Sequence, residues 1–92
     1  EPQVEAAAYF VVAEALTNVA RYSGASRANV VLARAGDRLV VEVHDGGRGG
    51  ADPERGSGLR GLSDRLSALD GELEVVSPPG EGTIVRASIP CA

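Results

Sequence analysis

Apolar residues at the start of the chain recur at helical spacing. Val4, Ala8, Val11, Ala15 and Val19 are separated by four, three, four and four positions, which places them in one stripe of a helix running from Gln3 to Tyr22. Pro2 suits the first turn of that helix, and Ser23-Gly24 suits its end. The period then changes. Ala28 to Ala33 (ANVVLA) is a continuous apolar run and predicts a buried strand, while Leu39 to Asp45 (LVVEVHD) alternates and predicts a second strand. Gly36-Asp37 between them marks a hairpin turn. From Gly46 to Gly58 neither period holds. Leu59, Leu62, Leu66 and Leu69 restore helical spacing, and Asp70-Gly71 stops that second helix. Leu73 and Val75 alternate with Glu72 and Glu74 in a third strand. Pro78 to Gly82 forms a turn, and Thr83 to Ile89 a fourth strand. The economical arrangement is an α+β fold of two layers, with helices on one face of a largely antiparallel sheet.

A chain of 92 residues suffices for one small domain, spanning residues 1–92, and not for two. Its 43% hydrophobic and 24% charged content is that of an ordinary globular domain. The 9 basic and 13 acidic side chains leave a net charge of −4, and only Tyr9, Phe10 and Tyr22 are aromatic. Nucleic acid is thereby excluded as the expected ligand, because binding it depends on cations that neutralise phosphates. Cys91 is the sole cysteine and His44 the sole histidine, so neither an internal disulfide nor a zinc site of the usual type can form. No apolar run approaches the roughly 18 residues that span a bilayer, and no signal peptide is visible. A cytoplasmic setting without direct membrane contact fits this composition. The start in helical sequence suggests a domain excised from a longer protein.

Three clusters carry candidate chemistry. On the first helix, Glu14, Asn18, Arg21 and Tyr22 fall on one side, bordering the apolar stripe. A carboxylate and an amide oxygen one turn apart are hard ligands suited to Mg²⁺, which takes few protein ligands, and Arg21 can reach a phosphate. An ordinary solvated helix flank would show the same spacing. In the second strand, alternation puts Asp45 on the face of Leu39, Val41 and Val43, and it puts Glu42 and His44 on the other. A carboxylate turned to the core needs a partner. Gly46, Gly47, Gly49 and Gly50 follow it and suggest a pocket walled by bare backbone, with the acid accepting a hydrogen bond from a ligand amine. A strand-end Asp capping a turn is the competing explanation. The third cluster is GSGLRGL, Gly56 to Leu62. Its glycines before a helix leave N–H groups free for an anion, or form only a flexible loop. Thr83 shares a face with Val85, Ala87 and Ile89, so its hydroxyl should point inward to a partner.

Taken in order, these clusters resemble the ATP-binding catalytic domain of bacterial sensor histidine kinases. EALTNVARYSGA (Glu14 to Ala25) is similar to their N box and VHDGGRGGA (Val43 to Ala51) to the G1 box. GSGLRGLSDRL (Gly56 to Leu66) is similar to the G2 box, and GEGTIVRASIP (Gly80 to Pro90) to the closing strand. The wording resembles most the subgroup that pairs with response regulators having helix-turn-helix output domains. The resemblance implies the Bergerat fold, an α/β sandwich with helices on one face of a mixed, largely antiparallel sheet. It implies ATP and Mg²⁺ as cofactors, with Asn18 and Glu14 at the metal and Glu14 also polarising the nucleophile. It implies that Asp45 accepts the adenine amino group with help from Thr83 through water, and that Gly47 and Gly49 let the backbone pass the base. Arg21, Tyr22, Gly58, Leu59, Gly61 and Leu62 would line the nucleotide and its phosphates. The implied partners are a helical-hairpin domain of the same kinase, whose histidine takes the γ-phosphoryl group, and a response regulator downstream.

Departures from the family pattern are local. Tyr22 stands where His is common, Gly46 where Asp or Asn is usual, and the expected ATP lid, Ala51 to Arg55, is short. No phosphoacceptor hairpin lies within the 92 residues. Two other functions share the pattern: a serine protein kinase of the same fold, of the anti-sigma-factor kind, and a non-catalytic nucleotide sensor. The GLRGLSDRLSALDGELEV run favours the histidine kinase, and the presence of both Glu14 and Asn18 weighs against a sensor.

Overall fold

The structure is a computed structural model that describes residues 2–20, 27–47, 49 and 59–91. Two helices, α1 (Pro2–Asn18) and α2 (Leu59–Ser67), pack on a sheet of four strands. The strands are β1 (Ala28–Ala35), β2 (Arg38–Asp45), β3 (Glu72–Val76) and β4 (Thr83–Pro90), in the spatial order β1-β2-β4-β3. Every pairing among the described strands is antiparallel. The last strand therefore inserts beside β2 after the chain has crossed over through α2.

Register fixes which side chains share the core. Val43 pairs with Val85, which pairs with Val75; Val41 pairs with Ala87, which pairs with Leu73; Leu39 pairs with Ile89. This face meets Val4, Ala7, Val11 and Ala15 of α1 and Leu59, Leu62 and Leu66 of α2. The opposite face carries Glu42, Arg86 and Glu74 in one cross-strand row. His44 lies on that outer face, with its Nε2 2.7 Å from Glu42 Oε1, as alternation predicts.

Differences from the predicted elements follow from packing. The expected buried strand at Ala28 to Ala33 is a strand but is not buried: Val30, Val31 and Leu32 are 46%, 48% and 62% exposed. A continuous apolar run is the mark of a strand covered on both faces. Here α1 packs on β2 and β4 and α2 on β3, leaving β1 at the edge beyond either helix. The hairpin joining β1 to β2 pairs Ala35 with Arg38 around Gly36, whose φ of 62° suits a glycine-first two-residue turn. Helix α1 runs to Asn18, and Val19 and Ala20 continue in a wider π-type turn; the last predicted helical residues, Arg21 and Tyr22, lie outside the described residues. Its expected stop at Ser23-Gly24 lies outside the described residues.

Helix α2 ends in a Schellman arrangement: Gly71 N–H donates to Leu66 O at 2.7 Å and Asp70 N–H to Ser67 O at 3.0 Å. The left-handed residue there is Asp70, with φ 58°. Gly71 is needed for space, since a Cβ would come within 3.0 Å of Ser88 O and 3.1 Å of Leu66 O.

Candidate functional site

The C-terminal end of α1 holds one unusual side chain. Asn18 follows Val11 and Ala15 down the buried stripe, and both atoms of its amide, Oδ1 and Nδ2, are buried without a hydrogen-bond partner among the described residues. An unpaired buried amide costs roughly 1–3 kcal/mol. A buried amide at the end of a helix, where the helix opens into a π-type turn, calls for a polar partner. A hard cation would accept Oδ1, so the residue fits a Mg²⁺ ligand. Among the described residues, no three His, Cys, Asp or Glu side chains gather around a metal position.

One turn earlier, Glu14 is half-buried and lines a pocket of about 270 Å³ with Phe10, Gly61, Leu62 and Arg65. This pocket is the groove between α1 and α2. Leu62 contributes to the groove while sitting in the core at 3% exposure. Leu59 is fully buried, so its side chain belongs to the core and only its backbone can serve a ligand. A Cβ added at Gly61 would meet nothing within 4 Å.

At the other end of β2, Asp45 lies on the inner-face register, opposite Thr83 on β4 and Ala28 on β1. Its Oδ1 accepts the Gly47 N–H at 2.8 Å. The turn-capping role and the inward orientation therefore coexist, because the second carboxylate oxygen has no hydrogen bond among the described residues. Thr83 is 8% exposed, and its hydroxyl meets Ser77 Oγ at 2.6 Å. The predicted inward hydroxyl is present, and its partner Ser77 was invisible in the sequence because it lies across the β3–β4 turn.

The glycines near Asp45 have steric reasons of their own. Gly82, at φ 79°, leaves no room for a Cβ against the carbonyl oxygen of Asp45. Gly49, at φ 67°, is closed off in the same way by the carbonyl oxygen of Pro78. The glycine-rich loop after β2 and the turn before β4 therefore touch backbone to backbone, and this contact holds Asp45 beside Thr83. Arg21, Tyr22, Gly58 and the short segment Ala51 to Arg55 lie outside the described residues.

Comparisons with known proteins identify the family. Residues 3–92 match the family described as histidine kinase-, DNA gyrase B-, and HSP90-like ATPase. The sensor histidine kinase LiaS of Bacillus subtilis is 37% identical over 90 residues, which is 95% of this chain and 25% of that protein. The histidine kinase domain of the Erythrobacter litoralis EL346 blue-light activated histidine kinase superposes with a TM-score of 0.69 at 34% identity, over 87% of this chain and 41% of that one. The Acinetobacter baumannii histidine kinase AdeS shares the fold, with a TM-score of 0.72 at 21% identity over 87% of this chain and 43% of its own. The chain thus spans a quarter of the curated relative and less than half of each solved relative. Among the described residues no helix is long and apolar enough to cross a membrane. The chain belongs to the histidine kinase-, DNA gyrase B- and HSP90-like ATPase family, and within it is an ATP-binding catalytic domain of the histidine protein kinase type.

Proposed function

We propose that this domain holds ATP with Mg²⁺ and presents the γ-phosphoryl group to a histidine on a separate helical-hairpin domain of the same kinase. From there the group passes to a response regulator, of the class with a helix-turn-helix output domain. The observation that carries the reading is the buried, unpartnered amide of Asn18, which a metal-phosphate ligand would satisfy.

In this reading Asn18 Oδ1 would hold Mg²⁺, which would supply positive charge to offset that of the phosphates. Glu14, facing the open groove, assists from nearby as a second metal-side group or by polarising the incoming imidazole. The free carboxylate oxygen of Asp45 accepts the adenine amino group, while Oδ1 keeps the loop in place through Gly47. Thr83 is held by Ser77 and supports the adenine through water. Gly47 and Gly49 border the base, and Gly58, Gly61 and the backbone of Leu59 and Leu62 shape the phosphate loop. Arg21 and Tyr22 complete the phosphate side.

The test is incubation with γ-labelled ATP, with and without the hairpin domain. Acid-labile label should enter the hairpin and not this chain. His44 is on the outer face of the sheet against Glu42, so its ring is turned away from the core side. Stoichiometric label on His44, or no transfer to the hairpin by a domain that binds ATP, would defeat the proposal.

A further inference from the structure

We infer that the solvent face of α1 is a seam through which two copies of this chain pair, with their α1 helices antiparallel. Ala6, Tyr9, Ala13 and Leu16 recur at spacings of three, four and three, the repeat by which two helices pack side by side. They lie on the side of α1 away from Val4, Ala7, Val11 and Ala15, which it turns to the core. Tyr9 is 69% and Leu16 40% exposed, and Ala6 is exposed with them. The solvent side of a surface helix is normally charged, and a helix apolar all round is buried all round. The charged residues of α1 are Glu5 and Glu14, and Glu14 belongs to the flank toward α2. The solvent side of α1 is therefore apolar where water alone would favour charge.

The sizes of these residues identify the occupant as a second copy. Small and large side chains alternate along the seam. Two such helices set parallel would put alanine on alanine and tyrosine on tyrosine, so that gaps lie beside bulges. Set antiparallel about the level of Val11, Ala6 meets Leu16 of the second copy and Tyr9 meets its Ala13. A two-fold axis repeats both layers, so each of the four layers joins one large side chain to one small one. In this register Glu5 falls level with Thr17 of the second copy, and no like charges meet. Thr17 Oγ1 already donates to Ala13 O at 2.8 Å, so its hydroxyl needs no partner across the seam. The Tyr9 ring meets Phe10 edge-on with centroids 5.9 Å apart, and the Arg65 guanidinium lies 4.2 Å from the Phe10 centroid. A ring held in this way loses little freedom on pairing. Contact along about 15 Å of helix is less than a standard interface provides, so the dimer is weak. Asn18 follows the buried stripe of α1 and stays outside the seam, so the inference stands apart from the nucleotide reading.

The experiment is sedimentation velocity on the 92-residue chain, from about 5 µM to about 1 mM and at low and high salt. The weight-average mass should rise toward that of two copies across this range. The rise should be larger at high salt, because each copy carries a net charge of −4 and the seam joins apolar side chains. Leu16→Lys and Ala6→Glu should each weaken pairing at least about tenfold, since each presses a charge against an apolar residue. Both positions are exposed, so thermal unfolding of dilute samples should match that of the unaltered chain. Mixed in equal amounts, the two variants should pair again, because the register sets position 16 of one copy against position 6 of the other. An unaltered chain that stays monomeric at the highest concentration overturns the inference, as it would if another helix covered this face. Association undiminished in both variants overturns the seam, and variants that do not pair again on mixing overturn the antiparallel register.

Discussion

Replacing Asn18 by leucine should stabilise the empty domain while removing the contribution of Mg²⁺ to ATP binding. The two side chains have the same number of heavy atoms, so the exchange swaps an amide for two methyl groups at constant branching. In the parent, Oδ1 and Nδ2 are both buried and unpaired among the described residues. Removing an unsatisfied buried polar group returns about 1–3 kcal/mol. Leucine is also the better helix former, by a few tenths of a kcal/mol. For a domain of this size each kcal/mol moves Tm by roughly 4–8 °C, so thermal unfolding in metal-free buffer should show a rise of at least about 4 °C. Ligand reverses the comparison. Mg-ATP at a hundred times its Kd stabilises the parent by about 2.7 kcal/mol, which is comparable to the gain from the substitution. Asn18→Leu should lack most of that increment, so the two melting temperatures converge or cross. Asn18→Asp is the control in the other direction: it buries an unpaired charge and loses stability when empty, yet it keeps a hard ligand and should respond to Mg-ATP. A Tm for Asn18→Leu at or below the parent's in the empty state, with an undiminished Mg-ATP shift, would refute the assignment.

Other expectations are open to simpler measurements. Asp45→Ala should weaken ATP binding by about 1–3 kcal/mol and erase any preference over GTP; equal affinity of the parent for both nucleotides would count against Asp45 as the adenine reader. Gly82→Ala should lower Tm sharply, because it combines a positive φ with a collision against the Asp45 carbonyl; an unchanged melting curve would show that the turn relaxes freely. Asp70→Gly should raise stability by about 0.5–1 kcal/mol, since a non-glycine residue now occupies the left-handed cap of α2; urea unfolding would detect the shift in midpoint.

The elements that proved legible were those whose burial alternates. On β2 and β4 the inward set is written in the spacing itself: Val41 and Val43 face Ala87 and Val85, and Asp45 faces Thr83. Leu59, Leu62 and Leu66 mark the buried side of α2 for the same reason. The inward placement of Asp45 and Thr83 and the outward placement of His44 follow from period two alone. Residues 28–33 form a strand without the expected burial, because the apolar run does not fix the strand's place in the sheet. It does not say which helix arrives to cover it, and none of the described helices does.

What stayed hidden depends on how elements meet, which local pattern cannot encode. Ser77 pairs with Thr83 only because the β3–β4 turn folds one beside the other. Arg65 and Phe10 are separated by most of the chain, and their stacking requires α1 and α2 to lie side by side. Asp70-Gly71 stops the helix as its position predicts, and only the packing shows how: the aspartate takes the left-handed conformation, and the glycine clears the Ser88 carbonyl. Gly49 and Gly82 show the same substitution of cause. Both were expected near a ligand or a turn, and both are fixed first by backbone contacts that hold the strand ends together. The glycine content around Asp45 is therefore evidence for a rigid floor before it is evidence for a nucleotide. The amide of Asn18 has no such explanation among the described residues, so in the proposed reading it weighs more than the glycine motifs beside it.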